Sequence, residues 1–86
     1  MYYVYVLLSL KDKQIYTGLS SNLKQRIEEH QKGQVKSTSS RKPLKLIYYE
    51  AYLSESDARR RELYLKNGGK AKLALKQQIT DSLIGP

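Results

Sequence analysis

The sequence predicts an α+β fold in which three helices flank a three-stranded antiparallel sheet, in the order strand, strand, helix, strand, helix, helix. Three observations carry that expectation. The apolar residues come in short clusters of strand character, Tyr2 to Leu8 and Leu44 to Tyr49, and not in a continuous run. The segments between and after them place apolar residues at helical spacing, bounded by capping residues and glycines. At 86 residues the chain suits one core, because two would each bury too little apolar surface to offset chain entropy. Residues 1–80 are therefore read as a single domain and 81–86 as a short tail.

Tyr2 to Leu8 is dense in β-branched and aromatic side chains and has no breaker. Gln14 to Leu19 repeats that character after the polar Ser9 to Lys13 connection, which predicts a hairpin. Ser20, Ser21 or Asn22 can cap a helix from about Asn22 to Lys32, with Leu23 and Ile27 as its apolar contacts. Gly33 stands where a left-handed terminator belongs. Gln34 to Lys42 is a hydroxyl-rich, cationic loop closed by Pro43, which pushes its neighbour toward extended backbone. Leu44 to Tyr52 reads as the third strand. Ser54 and Asp57 form a capping box for a second helix carrying Ala58, Glu62 and Leu65, which Gly68-Gly69 ends. A last helix, Ala71 to about Ile79, places Ala71, Leu75 and Ile79 on one stripe. Thr80 to Pro86 offers too few anchors for an element and is expected to fray.

Sixteen Lys and Arg against eight Asp and Glu give a net charge of +8, which on so small a body favours polyanionic partners. Nucleic acid is the commonest of these; anionic membranes and plain solubility remain open. The absence of cysteine excludes disulfides, thiolate nucleophiles and thiolate zinc sites, and a single histidine excludes a multi-histidine metal site. A hard cation on oxygen ligands stays possible. The apolar N-terminal run is too short for a membrane span and lacks the basic region of a signal peptide, so a soluble cytoplasmic protein is expected. All eight aromatic residues are tyrosines, each with a hydroxyl that needs water, a partner or a role.

Several polar residues stand out by position. At about 100° per residue, His30 lies at the edge of the Leu23/Ile27 stripe with Arg26 four residues before it, both turned toward the sheet. A satisfied, partly buried histidine with an arginine lying over it accounts for such a pair without any function. Glu62 falls on the apolar face of its helix, between Ala58 and Leu65, where an acid is rare without a partner. It is the sole acid from Arg59 to Lys76, among seven cations, so it is expected to be ionised. A structural salt bridge explains it, as does a carboxylate presented to a divalent cation whose shell phosphate and water complete. Tyr5 and Tyr16 flank the hairpin, and a register centred on Leu10 and Lys11 would set them opposite each other. The loop residues Lys36, Thr38, Arg41 and Lys42 combine cations and hydroxyls, as phosphate-contacting segments and solvated loops both do.

These residues recur together in a known family. With Tyr3-Val4-Tyr5 and Tyr16-Thr17-Gly18 on neighbouring strands, Arg26 and His30 on the first helix, Glu62 on the second and Asn67 near its end, the chain resembles the small stand-alone GIY-YIG endonucleases from about Tyr2 to Ile79. The first glycine of the name motif is Tyr3 and the isoleucine of the second is Thr17, so both tyrosines and Gly18 are what remains. The resemblance implies phosphodiester hydrolysis in DNA with one divalent metal ion, magnesium or alternatively manganese, held by Glu62. It makes Tyr5 the group that activates water or attacks, helped to ionise by local cations and His30, and makes Tyr16 and Arg26 positioning groups for the phosphate. Lys36, Thr38, Arg41, Lys42 and Asn67 are the expected nucleic-acid contacts. No target-recognition module is evident, so structure-selective or weakly sequence-selective cleavage is the expectation. A non-catalytic DNA- or RNA-binding module is the alternative.

Overall fold

A computed structural model describes residues 1–85; Pro86, the last residue of the expected tail, lies outside the described residues. Three antiparallel strands, β1 (Tyr2–Ser9), β2 (Ile15–Ser20) and β3 (Leu44–Tyr52), form one sheet in the order β2-β1-β3. The central position of β1 explains its sequence. A strand covered on both faces carries no polar alternation, and Val4 to Ser9 are all buried.

The two faces of β1 hold separate cores. Tyr5 and Leu7 pack with Leu44 beneath Leu23 and Ile27 of α1 (Leu23–Gln31). Val4, Val6 and Leu8 face the other way, against Ala58 and Leu65 of α2 (Glu55–Asn67) and Ala71 and Leu75 of α3 (Gly69–Gln78). The result is the expected α+β arrangement, with the sheet sandwiched between α1 and the C-terminal helices. Asn22 caps α1 by accepting the Gln25 N–H, Ser54 caps α2 by accepting from Asp57, and Gly33 takes the left-handed conformation at φ +75° after α1. Between α1 and β3, Ser39–Arg41 form a single 3₁₀ turn.

Three details differ from the sequence expectation. Gly68 alone separates α2 from α3, because its N–H reaches Tyr64 O while its carbonyl accepts from Lys72, so α3 begins at Gly69 and not Ala71. The tail does not fray up to Ile84: Thr80–Ile84 form α4, in which Leu83 continues the Ala71-Leu75-Ile79 stripe by a further four residues and packs on the same core. The hairpin register is displaced by two residues. Tyr5 pairs with Gly18 and Tyr16 with Leu7, so the two tyrosines share a face but sit diagonally. The turn itself sets this, since Ser9 Oγ accepts the N–H groups of Lys11 and Asp12 and Lys13 adopts φ +63°.

A polar clamp ties α2 to β3. Arg61 donates to both carboxylate oxygens of Glu50, through Nε at 2.9 Å and a terminal nitrogen at 2.9 Å, and the hydroxyls of Tyr48 and Tyr52 donate to the same carboxylate. Burial would push the Glu50 carboxyl up, but the hydrogen bonds from Arg61, Tyr48 and Tyr52 outweigh it and hold it below its ordinary value. Arg61 leans from α2 toward β3; Glu62, about 100° further round the helix, lies near enough to Tyr5 for its charge to act there, and its partner Lys66 lies by Tyr16 of β2.

Arg61→Met keeps an apolar stem but leaves Glu50 without its cation. The expected loss is about 1–3 kcal/mol in urea unfolding at neutral pH, below that of a fully buried pair because both groups are partly exposed. Glu50 contributes stability that is present above its unfolded value, ordinarily 4.5, and lost as pH falls through the depressed folded value. The acid limb of stability is therefore shallower in the variant; an unchanged midpoint and limb contradict the clamp.

Candidate active site

The edge strand β2 is where the two sides of the sheet meet. Tyr5 points from β1 toward α1, and its ring lies over Gly18 of β2. A Cβ at position 18 would stand 2.4 Å from both Cζ and Oη of Tyr5. Only glycine leaves that space, and the ring uses it to carry the hydroxyl from the central strand toward the sheet edge.

There the hydroxyl meets His30, which α1 delivers from above. Tyr5 Oη and His30 Nε2 are 2.8 Å apart, and His30 Nδ1 is 2.7 Å from Thr38 Oγ1. Tyr5 is 1% exposed, and His30 and Thr38 are fully buried. Tyr16 completes an aromatic triangle, its ring centroid 6.4 Å from that of Tyr5 and 5.3 Å from that of His30. Ser37 Oγ lies 3.4 Å from the Tyr16 hydroxyl.

Charge enters from both flanks. On α1, Arg26 is steered by Glu29, which accepts from its guanidinium at 3.0 Å. Arg26 faces the Tyr5 oxygen closely enough to lower the cost of ionising it. On α2, the Glu62 side chain is only 12% exposed and is paired with Lys66 at 3.1 Å. The Lys66 ammonium in turn sits 5.8 Å from the centroid of the Tyr16 ring, which brings this side of α2 round the β2 edge to the tyrosines.

Burial dominates the titration of the central pair. It pushes the Tyr5 phenol up to about 12, with the Tyr16 and Glu62 charges adding to it and Arg26 opposing. Burial also lowers His30, and the Arg26 charge lowers it further. Arg26 does ease the ionisation of Tyr5, as the sequence reading expects of a local cation, but burial outweighs it, and at neutral pH a neutral phenol faces a neutral imidazole.

Tyr5, Tyr16, Arg26, His30 and Glu62 thus gather at one edge of the sheet. The other expected contacts divide. Lys36 is exposed on the loop and makes no ion pair among the described residues. Thr38 is not on the outer surface at all but buried against His30. Arg41 is held by Asp12 of the hairpin at 2.9 Å and draws that carboxyl down to about 2, so much of its charge is already matched. Lys42 lies along Gly33. Asn67 ends α2, about 7.5 Å along the axis from Glu62 and about 140° round from it. The sequence reading missed Glu29, Lys66 and the role of Gly18. An i,i+3 and an i,i+4 partner for Arg26 and Glu62 were legible signals; the slot at Gly18 required the register.

As a cation site, the donor set fits one arrangement. Among the described residues no three His, Asp or Glu side chains converge, so the protein offers one carboxylate, Glu62, beside two phenol oxygens. That suits a hard cation whose remaining ligands are phosphate and water oxygens, not a cage built by protein alone. A polar cleft of about 410 Å³ adjoins Arg26, walled also by Asn22, Gln25, Glu55 and Arg59. A more apolar cleft of about 550 Å³ between α1 and β3 holds none of the five residues.

This three-stranded fold, with paired tyrosines, an Arg/His helix and a lone glutamate at one sheet edge, falls in a nuclease-type family by its domain match. Residues 1–74 match the family described as the GIY-YIG catalytic domain, and the chain belongs to that family. Members of the family generally use a divalent metal. Its relatives are UPF0213 proteins, a stand-alone group of the family. A UPF0213 protein of Clostridium perfringens is 43% identical over 67 residues, covering 77% of this chain and 71% of the relative. One of Staphylococcus haemolyticus is 41% identical over 66 residues, covering 76% and 79%. The solution NMR structure of a UPF0213 protein from Bacillus halodurans superposes with a TM-score of 0.58 at 33% identity, covering 91% of this chain and 85% of that one. No helix among the described residues is long and apolar enough to cross a membrane.

Gly18→Ala puts a methyl into the Tyr5 ring and hydroxyl. The expected result is a stability loss of about 1–3 kcal/mol from overpacking and a fall of about 100-fold in any turnover that depends on the hydroxyl, since displacement by about 1 Å suffices for that. Thermal unfolding and a nicking assay check both; wild-type turnover in Gly18→Ala contradicts the slot.

Proposed function

We propose that the chain is a metal-dependent endonuclease that hydrolyses phosphodiester bonds in DNA with structure selectivity or weak sequence selectivity. The observation that carries this reading is the hydrogen bond between Tyr5 and a buried, neutral His30, placed within reach of Arg26 and the Glu62 carboxylate. Backbone binding by charge needs cations but no such pair.

In this reading the substrate strand lies along the β2 edge, its scissile phosphate against Arg26 and Tyr16. Arg26, oriented by Glu29, presents a fork of donors to the phosphate oxygens, and its charge opposes the build-up of negative charge in the transition state. A divalent cation held by Glu62 would supply Lewis acidity toward the phosphate and the leaving 3′ oxygen. To hold such a cation, Glu62 would have to give up its ion pair with Lys66.

Tyr5 manages the proton of the attacking water. A phenol near 12 is no base by itself, so its oxygen takes the water proton while its own proton passes to His30 Nε2. The oxygen–phosphorus bond forms, the bond to the 3′ oxygen breaks, and the leaving oxygen gains a proton from solvent. His30 ends protonated and returns its proton to solvent through Tyr5. Lys36 and Lys42, both exposed and in no ion pair among the described residues, are the loop cations left for phosphate contact; Arg41, matched by Asp12, contributes less.

The test is nicking of branched, single-stranded and duplex DNA, with RNA counterparts, under magnesium, manganese or chelator. Cleavage is expected with metal alone. Tyr5→Phe is expected to lose about 100-fold or more, and Glu62→Gln essentially all turnover, with DNA binding retained in both. Undiminished cleavage by Glu62→Gln contradicts the cation role. Salt-sensitive binding without cleavage of any substrate makes the chain a binding module instead.

A pH profile gives a second check. His30 must be neutral to accept the proton, and its value is lowered from the ordinary 6.5, so cleavage persists below pH 6.5 and is lost as pH falls through the depressed value. An acid limb that begins well above 6.5 contradicts the assignment.

A further inference from the structure

His30 is buried with a hydroxyl on each ring nitrogen, and a neutral imidazole has one proton to share between them. Two arrangements are possible. In one, Nε2–H donates to Tyr5 and the Thr38 hydroxyl donates to Nδ1. The Tyr5 proton then faces Arg26, which is donor-only, and the Val35 carbonyl loses the donor that Thr38 can offer it. In the other, every proton has an acceptor. Tyr5 donates to Nε2, Nδ1–H donates to Thr38 Oγ1, and the Thr38 hydroxyl turns to the Val35 carbonyl 3.5 Å away.

We propose that Thr38 is a positioning residue, whose hydroxyl accepts the Nδ1 proton and so holds His30 in the tautomer with its Nε2 lone pair aimed at Tyr5. This rests on the reading of Tyr5 and His30 as the proton-accepting pair. Without that acceptor, the imidazole is free to place its proton on Nε2, and the face turned to Tyr5 becomes a donor that cannot receive a proton.

The surroundings fix the hydroxyl as firmly as they fix the ring. Thr38 precedes the 3₁₀ turn, and its own N–H donates to Val35 O at 3.1 Å. The turn is pinned to the hairpin by Ser9 Oγ donating to Arg41 O at 2.7 Å and Lys11 Nζ donating to Ser40 O at 3.0 Å. The cationic loop is thereby built from inside by a residue that never meets substrate. Its outer cations and its buried hydroxyl have separate tasks.

The experiment exploits the single histidine of the chain. Long-range ¹H–¹⁵N correlation on ¹⁵N-histidine-labelled protein at neutral pH reads the tautomer without any cleavage. The expected state is Nδ1–H in wild type and in Thr38→Ser, with the proton moved wholly or partly to Nε2 in Thr38→Val. In the nicking assay, Thr38→Val is expected to lower kcat by about 10- to 100-fold with KM unchanged, and Thr38→Ser to restore most of it. An Nε2–H tautomer in wild type, or an unmoved Nδ1–H tautomer in a folded Thr38→Val, overturns the proposal. If Thr38→Val does not fold, the wild-type tautomer decides. Because the tautomer is read without substrate, an absence of nuclease activity would count against the function and leave the hydrogen-bond assignment to be judged separately.

Discussion

The hydrogen bond from the Tyr5 hydroxyl to His30 is the interaction on which the rest of the arrangement depends. It joins the central strand to the helix above it, 25 residues apart in sequence, with His30 fully buried and Tyr5 1% exposed. β1 is in the middle of the sheet, so Tyr5 reaches the edge only because β2 leaves position 18 without a side chain. α1 must hold Leu23 and Ile27 on the sheet for His30, within one further turn, to come down onto the hydroxyl. A residue from a loop then has to be buried to satisfy the second ring nitrogen.

Burial sets the chemistry of that pair, and its sign is informative. Burial raises the Tyr5 phenol to about 12 and lowers the His30 imidazole below its ordinary value, so at rest the transferred state is disfavoured against the neutral one. The ionised tyrosine is not a resting species. In the proposed hydrolysis, proton transfer to His30 would accompany attack on phosphorus, where the positive charges of Arg26 and of a cation held by Glu62 would act on charge as it develops. The same low polarity that makes the resting pair inert makes those charges effective.

Much of the architecture was legible because period and punctuation agreed. The unbroken apolar run of β1, the Asn22 and Ser54 caps and the glycines at 33 and 68 each have one local physical meaning, and the structure follows them. Glu62 was legible as well, since 100° per residue puts it beside Ala58 and Leu65 whatever the fold. What failed needed information that periodicity does not carry. The hairpin register depends on side-chain hydrogen bonds inside the turn, where Ser9 gathers two N–H groups, and a slip of two residues keeps every side chain on its expected face. Thr38 looked like its neighbours in a polar cationic loop; only folding shows that one hydroxyl among them is buried. Leu83 continues a visible i,i+4 stripe, but Thr80 to Pro86 offers too few anchors by itself to mark an element, and only packing on the shared core shows it.

The most direct test of the central pair is a double-mutant cycle on single-turnover cleavage, comparing Tyr5→Phe, His30→Gln and the double variant under saturating metal and substrate. If Tyr5 and His30 form one proton-accepting unit, the double variant is no slower than the slower single variant, because the second substitution removes nothing the first has left working. Fully additive losses in activation free energy would mean that the two residues act on separate steps, and the hydrogen bond between them would be structural.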